Sequence, residues 1–220
     1  MVKFYSIFGC NLFFQKVKCN PKINPQVDLN KIINIFAVIE GALLSVQYDG
    51  YREHEFERIF KEWTDVEYLV DFFETHKTDL QNGYHLTKIG HISIEEAVFQ
   101  TIEEAEAFEK YILKVARKGK QNDDETLNDL VFKPLHKNDT TIKHQETKAY
   151  GINTHSWLRL YAVRIDLNLY VISGGAIKLT RSMNEREHTR NELMKLKILT
   201  SYLKEIGFED ADDYGILEIK

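Results

Sequence analysis

Residues 157–207 constrain the fold more than any other stretch: two short β-rich runs, a Gly-Gly pair and a long amphipathic segment follow one another without interruption. The runs 158–165 and 169–173 flank the compact turn Asp166-Leu167-Asn168, which predicts a hairpin. Alternation puts Trp157, Arg159, Tyr161 and Val163 on one face of the first strand, and Leu158, Leu160, Ala162 and Arg164 on the other. Gly174-Gly175 predicts a bulge or bend before residues 176–180 resume an extended course. From about Asn184, the apolar residues Leu193, Leu196, Leu199, Tyr202, Leu203 and Ile206 recur at helical spacing, and Gly207 suits a helix end. A hairpin with a helix on it needs a sheet and further helices to close its core.

The preceding chain supplies them. Residues 2–8 and 12–17 have strand composition around Gly9 to Asn11, and Pro21 and Pro25 mark a loop. The cluster Ile32, Ile33 and Phe36 favours a short helix over residues 29–36. Residues 43–48 read as a strand, Asp49-Gly50 as a turn, and residues 55–60 as the returning strand. Thr64 with Glu67 forms a capping signature ahead of Val66, Leu69, Val70 and Phe73, which predicts a helix over 65–76. Ser93 with Glu96 repeats it, and Val98, Ile102, Ala105, Phe108, Ile112 and Val115 extend a helical stripe to about Arg117. The tracts 117–129 and 136–156 are polar and predict exposed loops around a short apolar element at 130–135.

At 220 residues with 43% hydrophobic content, the chain is long enough for a sizeable core. Cys10 and Cys19 fit neither a disulfide framework nor a zinc knuckle, so free thiols are expected. No apolar run reaches the ~20 residues of a membrane span, and the first residues make a poor signal peptide, so a cytoplasmic address and no membrane partner are expected. The net charge of −5 is unevenly spread. Residues 40–80 hold eleven acidic and four basic side chains, whereas residues 174–204 hold seven basic and three acidic ones. The second region attracts polyanions.

The order of parts carries a resemblance. Phe132-Lys133-Pro134-Leu135, Arg159-Leu160-Tyr161, Val171-Ile172, the run Gly175-Ala176-Ile177-Lys178-Leu179-Thr180 and the helix segment from Glu192 to Tyr202 together resemble the RelE/ParE toxin superfamily. The pattern is most similar to the HigB branch and its phage-derived relatives. Where that family has a lysine-rich K-K-T element, this chain has Lys178-Leu179-Thr180-Arg181. The resemblance covers roughly residues 64–207. It implies an α+β fold, a twisted, mostly antiparallel sheet with amphipathic helices, and a RelE-like core placed here over 61–220; residues 1–60, beyond the usual length of such toxins, are expected to form a β-rich N-terminal extension packed on it.

The resemblance further implies the toxin of a type II toxin-antitoxin pair that cleaves messenger RNA, free or on the ribosome, without a metal or other cofactor. Its partners would be mRNA, the ribosome and a cognate antitoxin protein. Cleavage by an adjacent 2′-hydroxyl needs a proton acceptor, cations for the charge on the phosphorus oxygens, and a proton for the leaving 5′-oxygen. The catalytic candidates are Arg159 and Arg181 for the phosphate, Lys178 for phosphate or proton removal, and His188 as general acid or base. Tyr161, Arg164, Arg186 and Arg190 are candidate substrate contacts. Each also has a structural reading: Trp157 and Tyr161 as core aromatics, and Arg186 and Arg190 as surface partners of Glu185 and Glu187. An alternative of another class keeps the fold and works only by binding a protein, as a ParE-like or degenerate member would.

Overall fold

The computed structural model describes residues 31–84 and 90–216. The hairpin and loop expected within residues 1–30, and both cysteines, lie outside the described residues. Six strands form one mixed sheet: β1 (Ile32–Ile39), β2 (Leu43–Tyr48), β3 (Phe132–Pro134), β4 (Gln145–Tyr150), β5 (Leu158–Arg164) and β6 (Tyr170–Ile177), in the order β1-β2-β6-β5-β4-β3. Four of the pairings are antiparallel, and β2 runs parallel to β6 over Leu43 to Ser45. Among the described residues six helices accompany it: α1 (Glu55–Thr64), α2 (Val66–Thr75), α3 (Lys77–Asn82), α4 (Ile94–Lys118), α5 (Leu127–Leu130) and α6 (Glu187–Glu205), with 3-10 turns at Met183–Glu185 and Ala211–Ile216.

The sheet is covered on both faces. On one, Phe56, Ile59, Phe60 and Trp63 of α1, Leu69 and Phe73 of α2, and Phe108 and Ile112 of α4 pack on Leu158, Leu160, Ala162 and Ile172. On the other, Leu196, Leu199 and Leu203 of α6 pack on Val46, Tyr161, Val163 and Val171. The hairpin around residues 166–168 is therefore the centre of the sheet, not an edge. Trp157 joins the helix-covered side with Leu158, departing from strict alternation because it precedes the strand.

One expected strand and one expected helix exchange identities. Residues 55–60 are helical, since Phe56, Ile59, Phe60 and Trp63 fall at i, i+3, i+4 and i+7 and all four are buried. His54 caps that helix by accepting from the Glu57 amide. Conversely, residues 32–39 form β1, where β-branched side chains fit a pleated surface and pair with β2. A further strand, β4, lies inside the polar tract 136–156. Its Gln145, Thr147 and Ala149 are buried in alternation, and polar inward side chains conceal that pattern from a hydrophobicity reading.

Local signals place the helix ends. Ser93 and Glu96 make the expected capping box of α4. For α2 the cap is Asp65, one residue beyond the expected Thr64, and its carboxylate accepts from the Tyr68 amide at 2.9 Å. Gly207, at φ +73°, ends α6, with the Phe208 amide donating to Leu203 O at 3.0 Å. β6 continues through Gly174-Gly175 to Ile177 without changing direction. The irregularity is a bulge: Tyr161 pairs with Gly174 and Ala162 with Ile172, which leaves Ser173 extra.

A candidate anion-binding cleft on the sheet

Cross-strand register assembles the site. Tyr150, Arg159 and Ala176 are directly opposite one another on β4, β5 and β6, as are Lys148, Tyr161 and Gly174. Directly opposed residues share a face, so one side of three adjacent strands presents Lys148, Tyr150, Arg159 and Tyr161 together. The chain leaving β6 brings Lys178 and Arg181 over the same area, and a cleft of about 380 Å³ opens between them. His136, Tyr84 and Asn184 complete its rim. No aspartate or glutamate is among the described residues that line it.

Arg159 is held in place from its own backbone. Its Nη1 donates to Ser156 O at 2.8 Å and to Leu158 O at 2.6 Å, and its guanidinium carbon lies 4.2 Å from the centre of the Tyr150 ring. Lys148 Nζ donates to Leu135 O at 2.9 Å and lies 5.9 Å from the same ring. Lys178 Nζ donates to Thr180 O at 2.5 Å and Arg181 O at 2.7 Å. Partial burial, helped by the neighbouring cations Arg159 and Lys148, brings the Lys178 ammonium down to a pKa of about 8. Burial also lowers the pKa of Arg159, which still carries its charge at any ordinary pH.

Tyr161 is the most informative residue in the cleft. Only 1% of its surface is exposed, yet its hydroxyl has no hydrogen-bond partner among the described residues. Burial raises its pKa, so this hydroxyl remains a donor. A buried phenol that feels the Arg159 charge, in a cleft that also holds Lys148, Lys178 and Arg181, and without a partner of its own, suits an anionic ligand oxygen.

The other sequence candidates lie elsewhere. His188 is on the first turn of α6, its Nε2 3.1 Å from Ile177 O and its ring 4.8 Å from that of His76. It lines a different crevice: its ring turns toward Ile177 O and His76, whereas Met183, Asn184 and Leu193 face the cleft. Arg186 grips Asp79 with two bonds of 2.6 and 2.5 Å, tying α6 to α3. Arg190 donates to Asn184 O at 2.8 Å, and Arg164 sits at the far end of β5 opposite Gln145 and Tyr170. The structure therefore unites Arg159, Tyr161, Lys178 and Arg181, adds Lys148, Tyr150 and His136, and leaves His188, Arg164, Arg186 and Arg190 outside. The added three come from the tract expected to be a loop. The buried alternation of Gln145, Thr147 and Ala149 was the signal for it.

Among the described residues no helix is long and apolar enough to cross a membrane. Searches against protein-family models, curated proteins and solved structures returned no match for this chain.

Proposed function

We propose that the cleft binds the phosphate backbone of single-stranded RNA and cleaves it, making this chain a metal-independent endoribonuclease and the toxin of a type II toxin-antitoxin pair with a RelE-like core. The carrying observation is a cleft that gathers Lys148, Arg159, Lys178 and Arg181 with the Tyr161 hydroxyl and has, among the described residues, neither a lining carboxylate nor a hydrogen-bond partner for that hydroxyl. The mostly antiparallel sheet, with α6 packed across it, agrees with what the sequence resemblance implies.

In this reading Arg159 and Arg181 neutralise the non-bridging phosphate oxygens, since guanidinium geometry matches a phosphate. The Tyr161 hydroxyl donates to an oxygen that gains charge as the pentacoordinate phosphorus forms. Lys178 in its neutral form takes the proton from the attacking 2′-hydroxyl. The bond from the 2′-oxygen to phosphorus forms and the bond to the 5′-oxygen breaks, leaving a 2′,3′-cyclic phosphate. His136, on the rim, takes over the proton-donor role that His188 is too remote to fill, delivering a proton to the departing 5′-oxygen. Tyr150 and Tyr84 offer ring faces to the flanking bases.

Expression of the wild-type chain is expected to arrest growth and shorten transcripts, and the double variant Arg159→Ala with Lys178→Ala is expected to relieve both. Equal arrest by that folded double variant would remove the cleft from the mechanism. Arrest with intact transcripts would instead favour a protein-binding role.

A further inference from the structure

The β2–β6 ladder ends at Ser45 opposite Ile172, so on its β2 side the C-terminal half of β6 borders a crevice, while β5 stays paired along its other edge. The crevice has a volume of about 330 Å³, with α1 and α2 on one side and α6 on the other. It shares no lining residue with the cationic cleft.

A buried charge cluster forms its base. Lys195 Nζ lies 2.7 Å from Glu55 Oε2 and 2.7 Å from Glu192 Oε1. Arg58 reaches Glu55 Oε1 at 2.8 Å through Nε and Glu62 Oε1 at 2.6 Å through Nη1. Both cations are therefore already engaged by carboxylates. One acceptor is left over: Glu192 is only 6% exposed and its Oε2 has no hydrogen-bond partner among the described residues. Gly174 leaves room for it, since a side-chain carbon there would overlap this oxygen.

The sign of the missing ligand follows from the groups that face Glu192. With Glu192 ionised, Glu55, Glu62 and Glu192 outnumber Arg58 and Lys195, and Asp71 at the rim adds a further negative charge. His76 and His188 add no positive charge at neutral pH, because burial lowers both. Tyr48 of β2 and Tyr161 of β5 stay protonated, because burial raises both phenols. Tyr51, Tyr68 and Phe72 supply ring faces.

The geometry points to a second ligand site in this crevice, for a small organic cation: a primary ammonium that donates to Glu192, on a body that packs against Tyr68 and Phe72. An ammonium satisfies the orphan acceptor and cancels the excess charge, and aromatic faces favour it further. An anion would meet Glu62, Asp71 and Glu192. Burial and the neighbouring Glu55 raise the Glu192 pKa to about 7, so the arriving ammonium displaces a proton. Linkage then makes binding about tenfold tighter at pH 8 than at pH 6.

The test is calorimetry on the full chain with benzylammonium, benzyl alcohol and benzoate. Wild type is expected to bind benzylammonium saturably, with the pH step, and to bind benzoate far more weakly. Glu192→Gln is expected to lose at least tenfold in affinity together with the pH step, while His76→Gln keeps the step. Asn191 lines the crevice next to Glu192 and belongs to neither ion pair, so Asn191→Leu, which replaces a polar amide of the ammonium's surroundings with an apolar group, provides a second reading of reduced affinity. The proposal is overturned if wild type shows no saturable benzylammonium binding, if benzoate binds as well or better, or if Glu192→Gln binds as wild type does. Should Glu192→Gln fail to fold, unchanged affinity in Asn191→Leu overturns it equally.

Discussion

Lys178 and Arg159 carry the proposed chemistry, and they do so in different ways. The Lys178 pKa of about 8 means that the neutral, proton-accepting form grows as pH rises through that value. Arg159 stays charged throughout and serves only the phosphate. Arg159→Ala should therefore weaken RNA binding at every pH, measured by fluorescence anisotropy, by about 1.5–3 kcal/mol for a lost charged hydrogen bond. At the neighbouring strand, Gly174→Ala should destabilise the fold by roughly 1–3 kcal/mol in urea unfolding, because the added carbon meets the Glu192 carboxylate. Arg159, Tyr161, Lys178 and Arg181 were legible in the sequence because strand alternation and chain order place them. Lys148 and Tyr150 were not, since their strand buries Gln145 and Thr147 and reads as polar. His188 lies outside the cleft because its ring packs on His76 and Phe72, contacts between distant elements that its local sequence does not reveal.

The helices are joined to the sheet by the buried ion cluster as well as by apolar packing. Lys195 of α6 bonds to Glu55 of α1, and the Tyr48 hydroxyl of β2 donates to Ser173 O of β6 at 3.1 Å and reaches Lys195 O at 3.4 Å, so four elements meet at one point. Removing one member leaves charges buried without partners. Lys195→Met should destabilise the protein by about 3–5 kcal/mol in chemical denaturation. The cluster also fixes a pH dependence whose sign can be worked out. Glu192 has a folded pKa raised to about 7, so the folded state binds its proton more tightly than the unfolded chain. Its contribution is full below the ordinary carboxyl range and is lost as pH rises toward 7. Glu55 is opposite in sign: the adjacent Lys195 and Arg58 outweigh its burial and hold it low, so its contribution disappears only in strong acid. Between pH 5 and pH 7.5 Glu192 pulls the urea midpoint down, while His54, His76 and His188, whose pKa values burial lowers, push it up. Glu192→Gln should therefore make the midpoint rise more steeply with pH than it does in the wild type. At this scale the long helices α4 and α6 were legible from their stripes and caps. Residues 55–60 were misread because alternating charges around Phe56 and Phe60 satisfy a strand period as well as a helical one, and only Ile59 and Trp63 distinguish the two.

Across the whole molecule, a net charge of −5 opposes a polyanion at long range, so binding must come from the local cleft. RNA affinity should then fall with salt at a log–log slope of about −2 to −3, as expected for three or four neutralised phosphates on a single strand. The split between an acidic first part and a basic later part, visible in the sequence, corresponds to two recesses of opposite character beside α6. The most direct test of the account is the pH profile of single-stranded RNA cleavage by the purified chain, compared with Lys178→Arg, which keeps the positive charge but cannot accept a proton. Wild-type cleavage should follow a bell-shaped pH profile, rising as Lys178 loses its proton and falling once His136 no longer carries one to donate, while Lys178→Arg binds RNA normally and cleaves it roughly 10²–10⁴-fold more slowly. A Lys178→Arg protein that cleaves as fast as wild type, with the same pH profile, would contradict it.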